Sequence, residues 1–188
     1  MPGPKIIKGK AWVIAGGDGI LIHDIDTDQI FHNSHLAVTE MEKMGQFAFG
    51  NLKGWEGFPE KVEKGDIIVV GKNFGCGSSR QQAVDCFRSL GVSAVVAISF
   101  GAIYKRNAIN SGLAILSIPS MEVKPPVQNG DEIKLDLESG SVTDLTKKVV
   151  IQGNPASKVQ LDIYEAGGLF AYGRTLTKAR NSEIPRPS

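Results

Sequence analysis

Between Asp66 and Pro119 three short apolar runs, DIIVV (66–70), VSAVVAIS (92–99) and LAILSIP (113–119), alternate with two segments of helical spacing. Few folds accommodate that alternation. Apolar runs of about four to eight residues bounded by turn signals predict buried strands. SSRQQAVDCFRSLG (78–91) places Ala83, Val84, Phe87 and Leu90 on one helical face, with Gly91 where a helix ends. FGAIYKRNAINSG (100–112) predicts a second helix with Ile103, Tyr104 and Ile109 inward. Strand–helix–strand–helix–strand with short links calls for a parallel sheet with crossover helices.

The flanks read differently. IKGKAWVIAG (7–16) is a strand by its β-branched and aromatic content, followed by a polar stretch from Gly16 to Asp28. A short helix is expected over Thr39–Phe47, with Thr39 as cap and Glu42 three residues on. Gly, Trp and Pro after Phe49 predict an ordered but irregular loop. DEIKLDLESGSVTDLTKKVVIQG (131–153) alternates as antiparallel strands do, around a turn at Ser139–Ser141. A helical tail broken at Gly167–Gly168 follows. The expectation is an α/β fold: a single domain over residues 1–180, a mixed sheet with a parallel β-α-β core and a β-rich C-terminal part, and a flexible tail over 181–188.

Charge removes some functions. Lys plus Arg number 21 against 20 for Asp plus Glu, so no basic excess advertises nucleic acid or an anionic membrane surface as a partner. No apolar run reaches the roughly 20 residues that span a bilayer, and the N-terminus lacks a signal-peptide core. A cytoplasmic location is expected. The two cysteines, Cys76 and Cys86, cannot alone hold an iron–sulfur cluster or a structural zinc, which take three or four ligands.

The strongest chemical feature is GKNFGCGSSR (71–80), at the junction of a buried strand, a glycine turn and a helix. Ligands of open α/β sheets gather at the carboxyl ends of the strands. Helix N-terminal amides favour an anion there, Gly75 and Gly77 allow close approach, and Arg80 offers a fork for a carboxylate. The bland alternative is that Ser78 is only an N-cap. The order is neither a Walker loop nor a nucleophile elbow. A hydrolase built on Ser78 and one of His23, His32 or His35 has no motif behind it, and Cys76 fits a small turn position better than a reactive thiol.

NFGCGSSR, then SFGAIYKRNAINSGL, with DIDTDQI upstream and GGLFAYG downstream, resembles the signature of the aconitase-family swivel domain. The motifs stand in family order from about Lys5 to Thr177, and the length resembles the free-standing small subunit. The resemblance implies an aconitase-type swivelling β/β/α domain. It also implies a hydro-lyase that dehydrates and rehydrates a 2-hydroxy acid, inactive without a large subunit carrying a [4Fe-4S] cluster, with no metal in this chain. Carried over by motif position, Ser78 is the base. Ser79, Arg80, Gly77 and Asp28 bind substrate or shape the floor of the site. His35, Leu36, Ala37 and Val38 form the loop that reads the variable substituent. Ala37 and Val38 suit an alkyl group, which favours 3-isopropylmalate, a step of leucine biosynthesis. The alternatives are dimethylmalate, citrate or homocitrate, and an RNA-binding regulatory role. Departures from the family pattern are Gln81 and Gln82, where SSREHA is frequent, and Ala102, where an arginine is frequent.

Overall fold

The structure, a computed structural model, describes residues 3–182. The expected parallel unit is present. Strand β1 spans Ile6–Val13, β2 Ile67–Val70, β3 Ala94–Ala97 and β4 Ala114–Ser117. The β1–β2, β2–β3 and β3–β4 pairs are all parallel. Strands β5 (Glu132–Asp136), β6 (Ser141–Asp144) and β7 (Val149–Gln152) continue the sheet antiparallel from β1, in the order β4-β3-β2-β1-β5-β6-β7. The two halves read differently in sequence because they are covered differently. Every residue of β2 and β3 is buried, so both faces must be apolar, whereas β5 and β6 alternate.

Ile68, Val70, Val95 and Ala97 form one core with helix α3 (Gln82–Ser89) and the inner face of helix α4 (Ala102–Asn110). Ile67, Val69, Ala94 and Val96 form the other with Ile133, Leu135, Val142 and Leu161 of α5 (Lys158–Ala166). Phe49, Phe58, Phe74 and Phe87 meet at ring separations of 5.1 to 6.4 Å. That cluster orders the irregular segment after Phe49 without regular hydrogen bonding.

Three local features differ from expectation. Helix α1, Thr27–Ile30, begins at the end of the polar stretch, where no helix was assigned, and Asp26 caps it in a capping box with Gln29. Helix α2 is Met41–Met44, with Glu40 at its start and no side-chain cap, so Thr39 does not cap it. In α4 Tyr104 and Ala108 face inward and Ile103 is 39% exposed. A four-residue repeat keeps Tyr104 and Ala108 on one face, and the bulkier ring takes the core. The helical tail breaks as expected, with α6 running over Leu169–Ser182. Of the tail expected over 181–188, Asn181 and Ser182 close α6, and 183–188 lie outside the described residues. Among the described residues no helix is long and apolar enough to cross a membrane.

Candidate active site

Two loops, each leaving the carboxyl end of a parallel strand, carry the candidate residues. The loop after β1 contains Asp24–Asp28 and α1; the loop after β2 contains Lys72–Gln81. They are zipped together by backbone. Gly75 N donates to Ile25 O (2.7 Å) and Thr27 N donates to Cys76 O (2.9 Å), a parallel bridge of Asp26 with Cys76. The loop after β3 braces them, since Phe74 N donates to Ser99 O and Gly101 N to Phe74 O. Gly75 has a left-handed φ of 74°, and a Cβ there would sit 2.2 Å from the Tyr104 ring. Only glycine meets both conditions. Gly77, at φ 95°, is required for conformation alone.

The helix begins later than the motif suggests. Helix α3 starts at Gln82 with Gln81 as its N-cap residue, so Ser78 is neither its cap nor at its first turn. The tie to the β1 loop holds residues 77–80 in an open turn instead. Their own backbone provides the donors: the N–H groups of Gly77, Ser78, Ser79 and Arg80 donate to no protein acceptor among the described residues. Gly77, Ser78 and Ser79 are exposed, so this cluster lies on an open face.

Asp28 and Arg80, from separate motifs, meet. Arg80 Nη1 donates to Asp28 Oδ1 at 2.5 Å and to Phe31 O at 3.1 Å. Asp28 also accepts from Asn33 N and Asn51 Nδ2, each at 3.1 Å. The Arg80 hydrogen bond holds the Asp28 carboxyl below its ordinary value, against the opposing effect of burial. Nε and Nη2 of Arg80 take no protein acceptor among the described residues, so part of its fork stays available. Ser78 Oγ lies 3.3 Å from Thr27 Oγ1, which also donates to Ser78 O at 3.0 Å. Ser79 Oγ accepts from Asn107 Nδ2 at 3.4 Å. No histidine hydrogen-bonds Ser78 among the described residues: His23 Nδ1 accepts from Lys72 N, and His32 pairs with Ser34. That leaves a Ser–His hydrolase without its base. Burial, then Asp26 and Asp24, push the Cys76 thiol above its ordinary value, a poor setting for a nucleophile.

The loop 35–38 divides. His35 stacks on Phe47 at 4.0 Å, and Val38 packs against the core. Leu36 and Ala37 are exposed. Of the apolar residues of this loop, Leu36 and Ala37 face outward and Val38 is partly buried. Gln81, one of the departures, donates to Asp85 and Ser111 and so ties α3 to the end of α4. Ala102 is exposed. Among the described residues no three His, Cys, Asp or Glu side chains stand together as a metal-ligand set. Sequence reasoning missed Thr27, Asn51 and Asn107. Thr27 had one signal, its place inside DTDQI.

Comparison with known proteins follows this geometry. A family model described as the aconitase C-terminal domain matches residues 28–121. The isopropylmalate/citramalate isomerase small subunit of Methanocaldococcus jannaschii is 40% identical over 168 residues, covering 89% of this chain and 94% of that protein. The 3-isopropylmalate dehydratase small subunit of Pyrobaculum calidifontis is 43% identical over 167 residues, covering 89% and 96%. The crystal structure of a 3-isopropylmalate dehydratase chain from Methanocaldococcus jannaschii superposes with a TM-score of 0.80 at 32% identity, covering 95% of this chain and 99% of that one.

Proposed function

The chain belongs to the aconitase C-terminal domain family, and from that premise we propose that it is the small subunit of a two-chain hydro-lyase acting on 3-isopropylmalate. One observation carries the reading: an exposed serine stands beside an arginine whose charge is anchored by Asp28 while part of its fork remains open.

Ser78 is the proton acceptor. A serine hydroxyl is a weak base unless its alkoxide is stabilised. The guanidinium of Arg80 and the unpaired amides of residues 77–80 supply positive potential on this face. Arg80, steered by Asp28, grips a substrate carboxylate through Nε and Nη2, and Ser79 and the Gly77 amide add donors. Leu36 and Ala37 meet the alkyl substituent. Isopropylmalate has an apolar branch, and an additional carboxylate there would need a cation that 36–38 do not offer. A [4Fe-4S] cluster on the large subunit supplies Lewis-acid polarisation of the substrate hydroxyl and carboxylate. Among the described residues no three His, Cys, Asp or Glu side chains gather to hold it. The chain's two thiols are separated, with Cys86 buried in α3 and Cys76 bonded to Asp24 O.

Anaerobic reconstitution with the large subunit tests the proposal. The isolated chain is expected to be inactive, and the complex to turn over 3-isopropylmalate in preference to dimethylmalate, citramalate, citrate and homocitrate. Ser78→Ala should lower kcat by roughly 10²–10⁴-fold with subunit association intact. Full activity in that variant removes Ser78 from the chemistry; preference for citrate removes the substrate assignment.

A further inference from the structure

Thr27 is 3% exposed and fixed at three points: its N–H donates to Cys76 O, its carbonyl accepts from Phe31 N, and its hydroxyl faces Ser78. A threonine hydroxyl carries a single proton and two lone pairs. Ser78 O can only accept, so that proton is committed to it at 3.0 Å. With that proton on Ser78 O, the 3.3 Å contact between the two hydroxyl oxygens, in which either can donate, is open to Ser78 Oγ–H donating to Thr27 Oγ1. In that arrangement the resting serine keeps its proton turned toward the protein and its lone pairs toward the open face.

From this we infer that Thr27 is a positioning residue for Ser78, one whose proton alternates between two acceptors during the reaction. The inference rests on the assignment of Ser78 as base. When Ser78 ionises, releasing its own proton to solvent on the open face before substrate is bound, Thr27 rotates its proton from Ser78 O to Ser78 Oγ and stabilises the alkoxide. Once Oγ has taken the proton from the substrate carbon, Thr27 returns its own proton to the carbonyl and again accepts from Ser78. No atom is gained or lost by Thr27 in the cycle. The Asp26 cap on α1 and the Asp26–Cys76 bridge hold the distance against the open loop.

The reconstituted enzyme decides this through three variants. Thr27→Val keeps the volume and removes the hydroxyl; kcat should fall roughly 10–100-fold, as for a lost hydrogen bond to a charged group, with KM within about threefold. Thr27→Ser keeps the hydroxyl and should retain activity within about threefold. Thr27→Ala gives up both, and should match Thr27→Val in kcat if the hydroxyl is what matters. The isotope effect with substrate deuterated at the abstracted position should rise in Thr27→Val, because proton removal becomes slower relative to the other steps. A purely structural role would leave that isotope effect unmoved and would show in KM or thermal melting. Adding Thr27→Val to Ser78→Ala should cost nothing more, since one residue acts through the other. Wild-type kcat in Thr27→Val while Ser78→Ala is dead overturns this inference alone. Activity in Ser78→Ala overturns the base assignment and the inference with it.

Discussion

Two carboxylate–cation clusters stand in different halves of the sheet, one on the loops of the parallel strands and one on the antiparallel strands. At the site, Arg80 meets Asp28 at 2.5 Å; in the antiparallel half, Lys147 meets Asp131 at 2.5 Å. In both, the aspartate is held below its ordinary value. For Asp28 the leading cause is the Arg80 hydrogen bond. For Asp131 burial pushes upward, and the Lys147 and Gln128 hydrogen bonds more than offset it. The clusters differ in what is left over. Lys147 Nζ is surrounded by Asp131 Oδ2, Pro126 O at 2.9 Å and, as an ion pair at 3.7 Å, Asp144 Oδ2. Two hydrogen bonds and an ion pair tie it to the protein, where they pin the β6–β7 turn. Arg80 binds inward through one nitrogen only. An ion pair alone does not mark a functional site; unused directional donors on an exposed face do.

The sharpest way to break that contrast is to change the fork. Arg80→Lys should lower kcat/KM by roughly 100-fold, chiefly through KM, with little change in melting temperature, because a point charge cannot hold Asp28 and a carboxylate together. Equal kinetics would make Arg80 as structural as Lys147. At the other cluster, Asp144→Ala removes the acceptor of the Thr146 and Lys147 amides. It should cost about 2 kcal/mol, or roughly 4–8 °C in Tm, while activity per folded molecule stays at the wild-type level. A kinetic defect there would join the two clusters functionally. Asp28→Asn keeps an acceptor but discards its charge, and should lower kcat/KM about 10-fold. The smallest effect concerns acid. Asp28 and Asp131 both titrate below 3.8 in the native chain, so each contributes stability above that value and loses it as pH falls through its native pKa. Asp28→Asn should make urea-melt stability fall less steeply below about pH 4; an unchanged slope would mean that the pair does not persist in solution.

Much of this was legible in the chain. The parallel unit could be read because β2 and β3 are buried on both faces, leaving uninterrupted apolar runs between glycines. The alternation of β5–β7 was equally plain, since one face meets the core. What could not be read depends on partners distant in sequence. The delayed start of α3 follows from ties of Thr27 to Ser78 and of Asp28 to Arg80, each spanning about fifty residues, which no local propensity records. That Val38 packs partly against the core was not legible either, because an apolar residue in a loop suits a ligand or a core equally. Ile103, expected inward beside Tyr104, points outward, and Tyr104 alone fills the space that the absence of a Cβ at Gly75 leaves for a ring.

Ser78 stands in water when this chain is alone, and an alkoxide in water is reprotonated as fast as it forms. If Ser78 is the base proposed above, proton removal from a carbon acid needs that water expelled, which a large subunit laid over residues 77–79 would do. Turnover should then track the concentration of the assembled pair and not of either chain: diluting an equimolar mixture below its dissociation constant should cost activity as the square of the dilution. A cell holding one chain in excess would carry the surplus as inert stock, with its serine still fully solvated.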